Sequence, residues 1–209
     1  MTSTEGSVAV LDMGSNSFHL VVARIEHGEI RTLQTFRESV RLGEGLGESG
    51  RLSKTARQRS LVCLKQFGQR LEGLSGENVA AFATNALRVA SNGRSFLDEA
   101  QAALGYPIQV ISGVEEARLI YLGVAHSLPS DPKPRLVVDI GGGSTEFVIG
   151  EQFQVRLIES LAMGCVSFMD RFFPCGKLSI HNFEQAYNHA SNEIVRVGKR
   201  YRKKGWSVC

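Results

Sequence analysis

The apolar positions come first in short paired runs and only later at helical spacing. Val8 to Leu11 is a short apolar run, and Asp12 to Asn16 reads as a turn. Ser17 to Arg24 resumes with Phe18, Leu20, Val21 and Val22. Gly28 marks a hairpin between that run and Arg31 to Arg37, which gives a sheet an antiparallel start. Gly43, Gly45, Gly47 and Gly50 mark a loop. Ser53 is placed to cap a helix reaching about Leu71. Leu61, Leu64, Lys65 and Leu71 fall near helical spacing there, with the Lys65 stem along the apolar edge. Val79 to Ala83 reads as a strand of small residues, Asn85 to Ala90 and Ser95 to Leu104 as helices, and Pro107 to Ile111 as a strand. Ser112 caps a helix beginning at Val114, with Glu115 three residues on, as in a capping box.

LPSDPKP, from Leu128 to Pro134, holds three of the five prolines and is the best linker candidate. After it the pattern restarts. Leu136 to Ile140 reads as a strand, Gly141 to Gly143 as a turn, Thr145 to Ile149 as a strand, and Gln154 to Ser160 as the next strand of a meander. Phe183 to Tyr201 is a long helix, and Trp206 to Val208 looks like a strand beginning. Both halves therefore open with strand, Asp, glycine turn, Ser, strand, an internal repeat of layout. The expected division is a first domain over 1–128, a linker over 129–134 and a second domain over 135–209. Ending on the first residues of a strand, that second domain is expected to be incomplete.

Composition changes this picture little. With 209 residues, 43% hydrophobic and 22% charged, the chain suits a soluble protein of one large or two small domains. It has no apolar run long enough to span a membrane, and MTSTEGS lacks the basic-then-apolar order of a secretory signal. Cys63, Cys165, Cys175 and Cys209 form no CxxC pair, and a reduced, cytoplasmic protein is the simplest expectation. The net charge of +3 rests on Arg196, Lys199, Arg200, Arg202, Lys203 and Lys204, without which the rest is acidic. That run is either a solvated helix face or a contact for polyanions, which leaves peripheral membrane contact open. No nucleic-acid module signature accompanies it, so no nucleic-acid partner is expected.

The two turns carry the chemistry. A glycine between strands can take positive φ and lets backbone N–H groups converge on an anion, phosphate above all. Asp12 and Asp139 each end a strand beside such a turn, where a carboxylate can hold hydrated Mg2+ or orient water. Ser15, Ser17, Ser144 and Thr145 add hydroxyls. Two such turns facing across a cleft would bracket a phosphate chain. The plainer reading is two tight hairpins that need glycine for geometry only, and the repetition weighs against it. GGGSTE lacks P-loop spacing, and a strand rather than a helix follows it, which excludes a dinucleotide fingerprint.

Glu115 and Glu116 open a helix, where acids favour the dipole and the cap. Glu115 reads as a capping residue, and Glu116 points about 100° away from it. Asn16 either binds phosphate or tolerates the turn, and His19 reads as a hydrogen-bonded structural residue. His126, His181 and His189 show no ligand spacing.

DMGSNSFHLVVARI, TNALRVA, ISGVEEARLIYLGV and DIGGGSTEFVIG, in this order, resemble the exopolyphosphatase and guanosine pentaphosphate phosphatase family. The likeness runs from about residue 8 to 208 and corresponds to the N-terminal portion of such proteins. It implies an α/β fold of two ribonuclease H-like domains, within the actin-like, sugar kinase and Hsp70 ATPase superfamily, with mixed sheets flanked by helices and an active site in the cleft between them. It implies hydrolysis of the terminal phosphoanhydride of inorganic polyphosphate or guanosine pentaphosphate with Mg2+. Glu116 matches the catalytic base, and a neighbouring polyanion would raise its pKa. Arg88, Gly14 to Ser17 (with Ser15 and Asn16), and Gly141 to Thr145 (with Gly142, Gly143 and Ser144) match phosphate contacts. Asp139 and Glu146, with Asp12 for metal or water, match the metal site. The resemblance also implies a homodimer for the longer protein, whose further helical domains would help hold long polyphosphate. The alternatives are an actin-like ATP-binding kinase or chaperone domain, and a sensor that binds polyphosphate or nucleotide without turnover.

Overall fold

The computed structural model describes residues 6–46, 50–129 and 132–209. Gly47 of the expected loop, and Ser130 and Asp131 of the expected linker, lie outside the described residues. The chain forms two compact units, Met1–Ile111 and Ser112–Cys209.

In the first unit, β1 (Ser7–Met13), β2 (Phe18–Glu26), β3 (Glu29–Glu38), β4 (Val79–Ala83) and β5 (Gln109–Val110) form a sheet of order β3-β2-β1-β4-β5. The β1–β2 and β2–β3 pairs are antiparallel, and β4 joins β1 in parallel. Period-two alternation sends Ala9, Leu11, Met13, Phe18 and Leu20 into the core. There they meet α1 (Lys54–Arg70) and α3 (Gly93–Leu104) through Leu64, Phe67, Phe96 and Leu104. The opposite face carries Val10, Asp12 and His19. Ser53 caps α1 as expected, its hydroxyl accepting the Ala56 N–H at 3.1 Å. The buried face of α1 runs through Ala56, Ser60, Cys63, Leu64 and Phe67, which leaves Lys65 exposed rather than along the apolar edge. The short α2 (Asn85–Val89) leaves the end of β4. β5 makes only two ladder pairs, so Pro107 to Ile111 is mostly not strand.

In the second unit, β6 (Arg135–Ile140), β7 (Thr145–Glu151) and β8 (Gln154–Leu161) form an antiparallel meander. Val208 bridges Arg135 in parallel, and its carbonyl accepts the Leu136 N–H at 2.8 Å. The order of the first sheet thus recurs: a meander, with a parallel partner beside its first strand. This is the mixed α/β arrangement, flanked by helices, expected of ribonuclease H-like units.

The boundary falls between Ile111 and Ser112 rather than at 129–134, because α4 (Gly113–Ser127) packs on the second sheet. Its buried residues Ala117, Tyr121 and Ala125 cluster with Val148. Gly150 makes the approach possible, since a Cβ there would sit 2.1 Å from the Tyr121 ring. The Tyr121 hydroxyl then donates to the Gln152 carbonyl at 2.9 Å. α6 (Ile180–Lys204) covers the other face through Val197 and Tyr201, packed with Leu136, Ile149 and Leu161. Between β8 and α6 lies α5 (Cys165–Phe172), a helix the spacing did not predict. In the basic run, Arg196 pairs with Glu193 and Arg200 with Glu159, while the lysines are exposed. No described helix is long and apolar enough to cross a membrane.

Candidate functional site

Each unit carries one strand-to-strand turn of the same construction. In the first, the Gly14 N–H donates to the Ser17 carbonyl at 3.1 Å; in the second, the Gly141 N–H donates to the Ser144 carbonyl at 2.9 Å. The outward carbonyls are tied back by the next helical turn. Asn16 O accepts from Arg41 N–H and Ser15 O from Gly43 N–H, both at 2.7 Å. In the second unit Gly141 O accepts from Cys165 N–H at 2.9 Å, and Gly142 O from Val166 N–H at 2.8 Å and Ser167 N–H at 3.1 Å. Among the described residues, the N–H groups of Ser15, Asn16, Gly142 and Gly143 donate to no backbone carbonyl. Backbone donors left over on one side of a turn are suited to an anion.

Positive φ is not what the turn glycines supply: none of Gly14, Gly141, Gly142 and Gly143 adopts it. Room is the requirement at the start of α5, where a Cβ on Gly164 would lie 2.4 Å from Gly142 C and Gly143 N. The expected hydroxyl donors also divide. Ser15, Ser17, Ser144 and Thr145 are all buried. Ser17 Oγ lies 3.1 Å from His19 Nε2. Thr145 donates to the Met163 carbonyl, so its one hydroxyl proton is already used in tying β7 to the segment after β8.

Behind each turn the ladder register aligns a row of three side chains across three strands. In the first unit the row is Asp12, His19 and Arg37. In the second it is Asp139, Glu146 and Ser160. Burial, then the positive charge of Arg37, hold the His19 pKa below its ordinary value. The second row has no such cation. Glu146 is 1% exposed, and burial pushes its carboxyl up to about 7. The Ser160 and Ser144 hydroxyls favour its charged form, while Glu116 and Asp139 oppose it. Ser160 Oγ donates to Glu146 Oε1 at 2.8 Å. Oε2 is buried and makes no hydrogen bond of ordinary geometry among the described residues, so the Ser144 influence is one of proximity. Burial raises the pKa of half-buried Asp139 as well.

Two acids directly opposed, one with an orphaned buried oxygen, suit a hard divalent cation whose remaining ligands are water and phosphate. Among the described residues no group of three or more His, Cys, Asp and Glu could hold a metal alone. The pair is therefore suited to an open divalent-cation site completed by ligands from outside the chain, not to a closed structural one.

α4 brings a third acid. Tyr121 packs at Gly150, and Ala117, one turn earlier, clusters with Val148. Four helix residues, about 6 Å, keep pace with two strand residues of about 6.8 Å. The start of α4 consequently lies over Glu146, and the charge of Glu116 acts on it. Ser112 caps this end, accepting the Glu115 N–H at 3.1 Å. The Glu115 carboxylate does not close the expected capping box. It pairs twice with Arg118, at 2.8 and 2.7 Å, which lowers its pKa. In the first unit Arg88 Nη1 donates to the Ile111 carbonyl at 2.8 Å, which fixes its guanidinium at the end of β5.

The structure thus brings Glu116, Asp139, Glu146 and the Gly141–Ser144 turn together within the second unit. Asp12 and the Gly14–Ser17 turn belong to the first, as does Arg88. Sequence reasoning missed Ser160, which stands opposite Glu146 only because of the register shift between Ile149 and Gly150. A sequence model of the Ppx/GppA phosphatase family matches residues 21–209. A PPX-GPPA enzyme of Aquifex aeolicus is 33% identical, with a TM-score of 0.72, over 91% of this chain and 64% of that one. An exopolyphosphatase from Cytophaga hutchinsonii is 30% identical, with a TM-score of 0.88, over 94% of this chain and 63% of that one. The chain spans less than two thirds of the length of either protein.

Proposed function

The chain belongs to the Ppx/GppA phosphatase family, and from that premise we propose that the whole protein hydrolyses the terminal phosphoanhydride of inorganic polyphosphate or guanosine pentaphosphate. The observation that carries the reading is the repeated turn, with carbonyls tied back and N–H groups left over. Phosphoryl transfer needs positioning and charge stabilisation more than covalent chemistry from the protein.

The N–H groups of Ser15 and Asn16, and of Gly142 and Gly143, bind phosphoryl oxygens, and Arg88 adds a guanidinium. Asp139 and Glu146 hold Mg2+, which when bound neutralises charge on the phosphoryl oxygens. Asp12, near the end of β1, helps with the metal or the water. Glu116 accepts a proton from the water that attacks the terminal phosphorus. As the new P–O bond forms, the bond from that phosphorus to the bridging oxygen breaks. Its electron pair leaves on the shortened chain, and orthophosphate is released.

The test is phosphate release by the full-length protein and its Glu116→Gln variant. Long-chain polyphosphate, guanosine pentaphosphate and ATP are supplied with Mg2+. A positioned base contributes about 10²- to 10⁴-fold, so kcat on the preferred substrate falls by that factor while KM stays near wild type. Unchanged turnover would remove Glu116 from the mechanism, and preference for ATP would move the protein to a different class.

A further inference from the structure

We propose that Ser160 is a positioning residue: its hydroxyl fixes Oε1 of Glu146 and leaves Oε2 to join Asp139 in holding a divalent cation. This rests on the cation reading above and names a residue that reading does not use. Three observations support it. Ser160 stands directly opposite Glu146 in the β7–β8 ladder, just as Asp139 does in the β6–β7 ladder. Glu146 is thus flanked from both neighbouring strands, by a hydrogen-bonding hydroxyl on one side and a second acid on the other. The Ser160 hydroxyl has the Glu146 carboxylate as its acceptor at 2.8 Å, on Oε1 only. Oε2 is buried without a hydrogen bond among the described residues, a costly arrangement unless a ligand completes it.

The internal repeat explains why a hydroxyl stands there. The first unit's row ends in Arg37, whose positive charge acts on His19 in the middle of the row. The second row ends in Ser160, which can donate one bond and brings no charge. It orients the acid pair without neutralising it, and the compensating charge must come from solution. Groups that orient a metal-ligating carboxylate in this way typically govern affinity by 10- to 100-fold. Ser144 approaches the same carboxylate, but it belongs to the phosphate-binding turn, so Ser160 gives the cleaner test.

The experiment uses the full chain without substrate and Mn2+ as the probe, with affinity read by electron paramagnetic resonance. Ser160→Ala removes the hydroxyl, and Ser160→Cys keeps a similar shape with a poor donor. Thermal melting without metal shows that each variant folds. Both variants should bind Mn2+ at least about tenfold more weakly than wild type. If Ala fails to fold, Cys decides. Wild-type affinity in either folded variant overturns the proposal and leaves the Asp139–Glu146 reading standing. A wild-type chain that binds no Mn2+ at millimolar concentration overturns both.

Discussion

Replacing Glu146 by Gln removes a charge from the only acid among the described residues that is fully buried, while nearly preserving its shape. Burial raises its carboxyl from the ordinary 4.5 to about 7. Between those values the folded chain keeps a proton that the unfolded chain has lost. Raising the pH through this window therefore favours unfolding. The penalty is absent well below 4.5 and complete above 7. At about 1.4 kcal/mol per pH unit, the interval amounts to roughly 3 kcal/mol. The neutral amide has no such dependence, and its oxygen can still accept from Ser160. In urea titrations with EDTA, the stability of E146Q relative to wild type should grow by about 2–3 kcal/mol between pH 5 and pH 8. Mg2+ should then stabilise wild type at pH 8 and leave E146Q nearly unmoved, because only the folded acid pair binds it. A stability difference that stays constant across this range, or shrinks as pH rises, would refute the assignment of a proton-retaining buried acid.

Two further substitutions test the turn. Gly164→Ala puts a methyl 2.4 Å from the Gly142 and Gly143 backbone, so α5 must move off the turn carbonyls. A stability loss of about 1–3 kcal/mol is expected, together with weaker binding of a non-hydrolysed polyphosphate analogue, and wild-type binding would break the link between α5 docking and the turn. Thr145→Val removes the hydroxyl that donates to Met163. It should cost about 1–2 kcal/mol in urea unfolding and leave phosphate affinity unchanged, and a selective loss of affinity would restore Thr145 as a ligand.

The parts of the fold that local chemistry controls were legible in the sequence. The strands around both turns, and the caps at Ser53 and Ser112, lie where alternation and small polar residues put them. α5 was not legible, since Cys165, Val166, Ser167 and Phe168 are indifferent helix formers and its eight residues give little periodicity. It is held by its N–H groups on the turn carbonyls, a tertiary contact. The domain boundary failed for a related reason. Prolines at 129, 132 and 134 mark a break in local structure. They do not say on which sheet the preceding helix packs. That was decided by the hollow at Gly150 receiving Tyr121.

The candidate site shows the same division more sharply. Asp139 and Glu146 can be paired from sequence alone, because a short turn joins their strands and fixes the register. Ser160 cannot. Counting back from the Glu151–Gln154 hairpin without interruption would put Glu159 opposite Glu146, two like charges in direct contact. The register shift between Ile149 and Gly150 absorbs Arg156 and moves every later pair by one. Glu159 then turns to the opposite face and pairs with Arg200 of α6. Ser160 and Ile158 turn towards α4, with Ile158 packing beside Val148 and Ser160 meeting Glu146. The first unit has a shift at the corresponding place, between Val22 and Ala23, and it is what sets Arg37 opposite His19. In both units, then, one extra residue far from the turn chooses which side chain completes the row behind it. The first unit's choice supplies a positive charge, and the second's supplies a hydroxyl beside two acids.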